Sequence, residues 1–156
     1  MTTETAVKVI GVGNPARGDD GVGPAVARTL SLLRPDGVEI SHVYGDAAGI
    51  MAAWEGVETA ILVDACVAGD EPGHVRRIDV SQEPLPPEPS ATSTHAFGLA
   101  AAVRLAEALG SRPANVILYA VEAKSLDHGA MLTPEIAHAV PQVVSLVKRE
   151  IEAIAR

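Results

Sequence analysis

Short continuous apolar runs alternate along this chain with longer stretches in which apolar residues recur every three or four positions. The first run, Ala6 to Val12, is ended by glycine, and Val22, Val26, Leu30 and Leu33 then mark one helical face until Pro35-Asp36-Gly37 stops it. Val38 to Tyr44 reads as a second strand, Ala47 to Glu55 as a short helix and Thr59 to Ala65 as a third strand. His74 to Val80 alternates more and carries Arg76 and Arg77, the pattern of an edge strand with one wet face. A helix follows from His95 to Leu109, with Leu99, Val103, Ala106 and Leu109 on one stripe, closed by Gly110 and Pro113. Asn115 to Val121 is another buried strand. The final helix opens with Thr133 as N-cap and Pro134 in the first turn. Its stripe runs Ile136, Val140, Val143, Val147, Ile151 and Ile154, and Pro141 is expected to interrupt and bend it.

A strand that is apolar at nearly every position, as in AILVDA, is covered on both faces, as strands of a parallel sheet are. The alternating order therefore predicts an α/β, doubly wound, three-layer sandwich. In it a twisted, mainly parallel sheet lies between helices, with one antiparallel edge strand and right-handed crossovers. A single domain over residues 1–156 accommodates these elements, because a chain of this length buries one core rather than two. The proline-rich stretch from Ser81 to Thr94 cannot be regular, and is expected to shape the entrance just before His95.

Hydrophobic residues are 47% of the chain and aromatics only 3%, so Val, Ala, Leu and Ile must fill the interior. A formal charge of −8, with 12 basic against 20 acidic residues and no Lys/Arg cluster, argues against nucleic acid and anionic membranes as partners. The one cysteine, Cys66, allows no intrachain disulfide. The start MTTETAVKVI lacks the basic head and apolar core of a secretory signal, and no apolar run is long enough to span a bilayer. A soluble cytoplasmic protein is the expectation, acting as a monomer.

Three segments place a potential metal ligand where a regular element becomes a loop. GNPARGDDGVG carries Asp20, ILVDA carries Asp64 and STHAFGLA carries His95. In an open parallel sheet, ligands bind outside the carboxyl ends of the strands, and all three residues map to that edge. Two carboxylates and an imidazole form a mixed oxygen and nitrogen set that suits a borderline divalent ion such as nickel or zinc and leaves coordination positions open. The expectation is that these three side chains crowd around a common cation.

Each residue also has a plainer role to weigh. Asp20 or its neighbour Asp19 could serve as a helix N-cap before GVGPAVARTL. Asp64 is harder to explain that way, because a carboxylate ending a buried apolar run is unfavourable without compensation. His95 at a helix start could simply be solvated. Cys66 reads as a buried inert thiol and Arg17 as a solvated loop arginine. His42 and His74 are placed inside strands and His138 on the last helix, while His128 in the loop DHGAM is the spare candidate.

A competing motif starts at Gly11-Val12-Gly13-Asn14-Pro15-Ala16, which matches G-x-G-x-x-A after a strand and would make this a dinucleotide-binding oxidoreductase. Pro15 removes one amide that would face a phosphate, and Asp19 with Asp20 puts two negative charges where the anion would sit. The glycines are better read as permitting a tight loop that aims Asp20. A non-catalytic nickel-binding chaperone is the other rival, and three hard or borderline ligands without a thiolate cluster predict only weak binding of free nickel.

GVGNPARGDDGVG, ILVDA, STHAFGLA and VEAKSLDHGAMLTPEI, in this order, resemble the hydrogenase maturation endopeptidases, with the likeness running from about Val7 to the last helix. The resemblance implies an enzyme that removes a C-terminal extension from the large-subunit precursor of [NiFe] hydrogenases once nickel is in place. It implies Asp20, Asp64 and His95 as metal-contacting and catalytic residues, with nickel supplied by the substrate and other divalent ions able to occupy the site in vitro. Two positions depart from the family pattern. Asp46-Ala47-Ala48 replaces a Gly/Thr-containing turn near the cleft, and Ala123 stands where a proline often follows the glutamate. No H-E-x-x-H pair or Ser/His/Asp signature is present, as expected for a protease that owns neither a permanent metal nor a serine nucleophile.

Overall fold

Strands and helices alternate in a computed structural model that describes residues 6–83 and 94–155, with side chains in the second stretch described from residue 98 onward. The strands are β1 (Val7–Val12), β2 (Val38–Val43), β3 (Thr59–Cys66), β4 (Val75–Asp79) and β5 (Asn115–Glu122). The helices are α1 (Val22–Leu33), α2 (Ala47–Ala53), α3 (Thr94–Leu109) and α4 (Pro134–Ile154), and a 3-10 turn, Gly18–Gly21, precedes α1. The sheet order is β2-β1-β3-β5-β4. Every pairing is parallel except that of β4 with β5, so the charged strand is the antiparallel edge that its pattern predicted.

Side-chain alternation divides the interior into two layers. Val7, Val9, Ile61, Val63, Ile117 and Val121 pack beneath α1 and α4. Ile10, Ala60, Leu62, Val116 and Leu118 pack on the other face against α2 and α3, where Trp54 is buried. Strands β3 and β5 are buried at nearly every position, which is why their sequences read as unbroken apolar runs.

Several expectations shift at element ends. Leu33 and Leu109 lie on the predicted stripes yet are 54% and 70% exposed, because the last helical turn has no apolar layer to pack on. Helix α4 runs uninterrupted through Pro141. That proline and Ala137, whose carbonyl loses its amide donor, both face solvent, where water can replace the missing bond. His74 precedes β4 rather than lying within it, with its amide donating to the Glu71 carbonyl and its carbonyl accepting from the Glu122 amide. Of the proline-rich stretch, Ser81 to Glu83 form a turn whose amides bond to Asp79, and the remainder up to residue 93 is outside the described residues.

Candidate active site at the carboxyl edge of the sheet

The chain leaves β1 toward β2 on one side and later returns to build β3 on the other, so a crevice opens between the carboxyl ends of β1 and β3. Such a reversal of strand order is where open α/β sheets bind ligands. Asp20 comes from the turn after β1, and Asp64 stands one residue beyond the last paired position, Gly11 with Val63. Glycines bring the helix unusually close to this edge. A Cβ on Gly23 would sit 2.3 Å from the Val63 carbonyl oxygen and 2.5 Å from that of Val12, and one on Gly11 would sit 2.4 Å from the Gly23 oxygen. Only bare backbone permits that approach, so the first turn of α1 seats directly on the ends of both strands.

The loop between β1 and α1 resolves the ambiguity of the two adjacent aspartates. Neither caps α1, whose N-cap is Gly21. Asp19 is fully buried and faces the late loop of the chain. Its carboxylate accepts from the amides of Lys124 and Ser125, both at 2.9 Å, and from the Thr133 amide at 2.7 Å and hydroxyl at 2.9 Å. The Asp19 amide in turn donates to the Ser125 carbonyl and that of Gly18 to Ala130. Thr133 is the N-cap residue of α4, as expected, but its hydroxyl is engaged by Asp19 and makes no capping bond.

Asp20, only 1% exposed, turns the other way and accepts the Asn14 amide at 2.7 Å. Gly13, at φ 142°, leaves room for this, since a Cβ there would lie 2.0 Å from the Asp20 carbonyl oxygen. The same bond counts against a dinucleotide site, because an amide that a phosphate would need already serves a carboxylate.

Asp64 is buried at 6% exposure and alternates with Ala60 and Leu62 onto the face covered by α2 and α3. Helix α3 begins on that same face. Its Gly98 lies against the chain between β2 and α2, where an added Cβ would meet the Gly45 carbonyl oxygen at 1.8 Å. The backbone of α3 thus starts at the carboxyl edge with His95 in its first turn, while the His95 side chain is outside the described residues. Among the described residues no group of three or more His, Cys, Asp or Glu side chains could hold a metal. Asp46, at the family departure, caps α2 by accepting the Gly49 amide at 2.9 Å.

Glu122 was not singled out by the sequence, yet it is 3% exposed at the same edge. Its carboxylate accepts the amides of Ala68 at 3.0 Å and Asp70 at 3.1 Å, fastening the loop that follows β3. The signal is in the sequence: NVILYAVE ends in a carboxylate much as AILVDA carries one near its end, and the strand extends one residue past Val121 to include it. Cys66 is half-buried in register with Glu122. His42 bonds through Nε2 to the Gly13 carbonyl at 2.8 Å, whereas His128 and His138 are exposed; His128 lies in the loop whose Gly129 amide donates to the Ala16 carbonyl. Arg17 is half-buried, with its Nε lacking a partner among the described residues.

At the far side of the molecule a different polar cluster joins β4, β5 and α4. Glu150 accepts Arg77 Nε at 2.6 Å and Nη2 at 3.3 Å, and the Tyr119 hydroxyl at 2.7 Å. The hydrogen bonds from Arg77 hold the Glu150 carboxyl below its ordinary range despite partial burial. Burial, reinforced by the Glu150 bond, pushes the Tyr119 phenol up to about 12.

Comparison with known proteins decides what this architecture is. A family model described as hydrogenase maturation protease matches residues 46–150. The chain belongs to the hydrogenase maturation protease family. It is 27% identical over 152 residues to the hydrogenase expression/formation protein HupD of Thiocapsa roseopersicina, an alignment covering 94% of this chain and 67% of that protein. It is 33% identical over 81 residues to a putative hydrogenase maturation protease of Methanocaldococcus jannaschii, covering 50% of this chain and 53% of that relative, so it spans about half of the latter's length. The hydrogenase maturating endopeptidase HybD from E. coli shares the fold, with a TM-score of 0.79 at 21% identity over 95% of this chain and 93% of that one. A five-stranded mixed sheet between helices is therefore the fold of this maturation protease, and its family makes it a hydrolase of peptide bonds. Among the described residues no helix is long and apolar enough to cross a membrane.

Proposed function

We propose that this protein is the endopeptidase that removes the C-terminal extension of a nickel-loaded [NiFe] hydrogenase large-subunit precursor. Membership of the maturation protease family carries the reading. The presence of two buried carboxylates, Asp20 and Asp64, at the strand-order reversal supports it. Two carboxylates gathered at the edge where open α/β sheets bind ligands suit it to receiving positive charge.

In this reading nickel arrives with the substrate. Asp20, Asp64 and His95 take the positions that the precursor's cysteines leave open, so the metal acts first as a recognition element. The Asn14 amide fixes the Asp20 carboxylate within its loop, and in this account Asp64, at the end of β3, joins it at the metal. A substrate-borne divalent ion polarises a nearby carbonyl or activates a bound water, and a carboxylate of the crevice takes up the proton released. The protein works in the cytoplasm as a monomer in this account.

The deciding experiment compares purified protein acting on nickel-loaded and nickel-free precursor. Cleavage of the loaded form alone is expected, with Asp64→Ala and His95→Ala folded but inactive. Equal cleavage of both precursor forms would reject metal-dependent recognition. Tight binding of free nickel by the isolated protein would instead favour a chaperone.

A further inference from the structure

Strand β2 is an edge of the sheet whose outer side pairs with no strand among the described residues. Six residues at about 3.3 Å each leave roughly 20 Å of open hydrogen-bonding edge. Proteins usually blunt such edges with lysine, proline or a bulge, because an open strand recruits another extended chain. The sequence VEISHV carries none of those side chains, and its one charge, Glu39, is drawn inward to Lys8 of β1 at 3.8 Å.

A groove of about 740 Å³ runs beside this edge. Ile40, Ser41 and His42 all line it. Three consecutive strand residues project to alternating faces, so a void touching all of them reaches the strand's margin. Its other wall is α1 with Arg28, and its upper end is framed by Pro15 and Gly21, the residues that flank the turn bearing Asp20. The groove therefore opens beside the candidate active site.

Two features indicate what fits there. Ser41 Oγ is buried and finds no hydrogen-bond partner among the described residues. The lining includes Arg28 and His42 but no Asp or Glu, in a protein whose formal charge is −8. Arg28 is exposed and forms no ion pair among the described residues. We infer that the β2 edge and its groove bind an extended acidic segment of the protein substrate as an added strand, with a carboxylate of that segment facing Arg28 and its backbone satisfying Ser41. Main-chain pairing supplies affinity in such additions and side-chain pockets supply specificity. The inference rests on the proposed proteolysis for the identity of the substrate, while the binding mode is a separate claim.

The test measures cleavage of nickel-loaded precursor alongside amide hydrogen exchange of β2 in the presence of a synthetic peptide matching the precursor's C-terminal extension. Arg28→Glu, on an exposed helical surface, is expected to raise KM about tenfold with kcat kept. Ser41→Ala is expected to shift KM in the same direction, and the wild-type β2 amides should gain protection when peptide is added. Normal cleavage with unchanged KM in both variants and no protection of β2 would overturn the inference and leave the proteolytic reading intact. Protection of β2 that Arg28→Glu abolishes, without any cleavage, would support the docking strand and reject the proteolysis.

Discussion

The two polar centres of this molecule solve opposite problems. On the far side, Arg77, Glu150 and Tyr119 neutralise one another across β4, β5 and α4, and the cluster faces solvent in part. At the carboxyl edge, four carboxylates, Asp19, Asp20, Asp64 and Glu122, are nearly inaccessible. Backbone amides donate to Asp19, Asp20 and Glu122, and the Thr133 hydroxyl donates to Asp19. The first arrangement is complete in itself and ties elements together. The second gathers buried carboxylates at one edge of the sheet, three of them oriented by backbone amides, as expected of an edge that meets a charged ligand.

Removing a carboxylate of the crevice should give the largest effect. Asp64→Ala and Asp20→Ala are each expected to lower precursor cleavage at least about a hundredfold. Both variants should stay folded, as read from the buried Trp54, with Asp20→Ala losing about 1 kcal/mol because the Asn14 amide loses its acceptor. Unchanged cleavage would end the contrast between the two centres.

Asp19→Ala should act on stability instead. It leaves the amides of Lys124, Ser125 and Thr133 without their acceptor, and a loss of about 3 kcal/mol in denaturant unfolding is expected. A smaller effect, about 1–2 kcal/mol, is expected for Glu122→Gln, which keeps one acceptor oxygen; hydrogen exchange at Ala68 and Asp70 should quicken.

The far cluster should respond to pH alone. In a Tyr44→Phe background the phenolate absorbance reports only Tyr119 and should titrate near 12, and Glu150→Gln should lower that midpoint. Because the folded phenol holds its proton more tightly, its contribution is present below pH 10 and lost as pH rises from 10 to about 12. Glu150 behaves in the reverse sense. Its depressed value means stability present above the ordinary carboxylate range and lost on acidification through the folded value, visible as a shift in acid unfolding for Glu150→Gln.

Strand and helix order was legible because burial writes itself as periodicity: β3 and β5 are covered on both faces and read as unbroken apolar runs. Exposure at Leu33 and Leu109 was not legible, since a stripe says which face is apolar but not where the opposing layer ends. At the site, strand ends nominated Asp64 and the loop nominated the Asp19-Asp20 pair. Which of the two faces the crevice depends on the direction of a 3-10 turn and on partners more than a hundred positions away, as the Lys124 and Thr133 bonds demonstrate. No local pattern encodes that.

The grip of Asp19 on residues 124, 125 and 133 makes the late loop a lever on the early one. Any change of length between those anchor points must be absorbed within residues 126–132, or it will be transmitted as a displacement of the neighbouring Asp20. Inherited variation in that rim is thereby steered toward side-chain exchange and away from insertion.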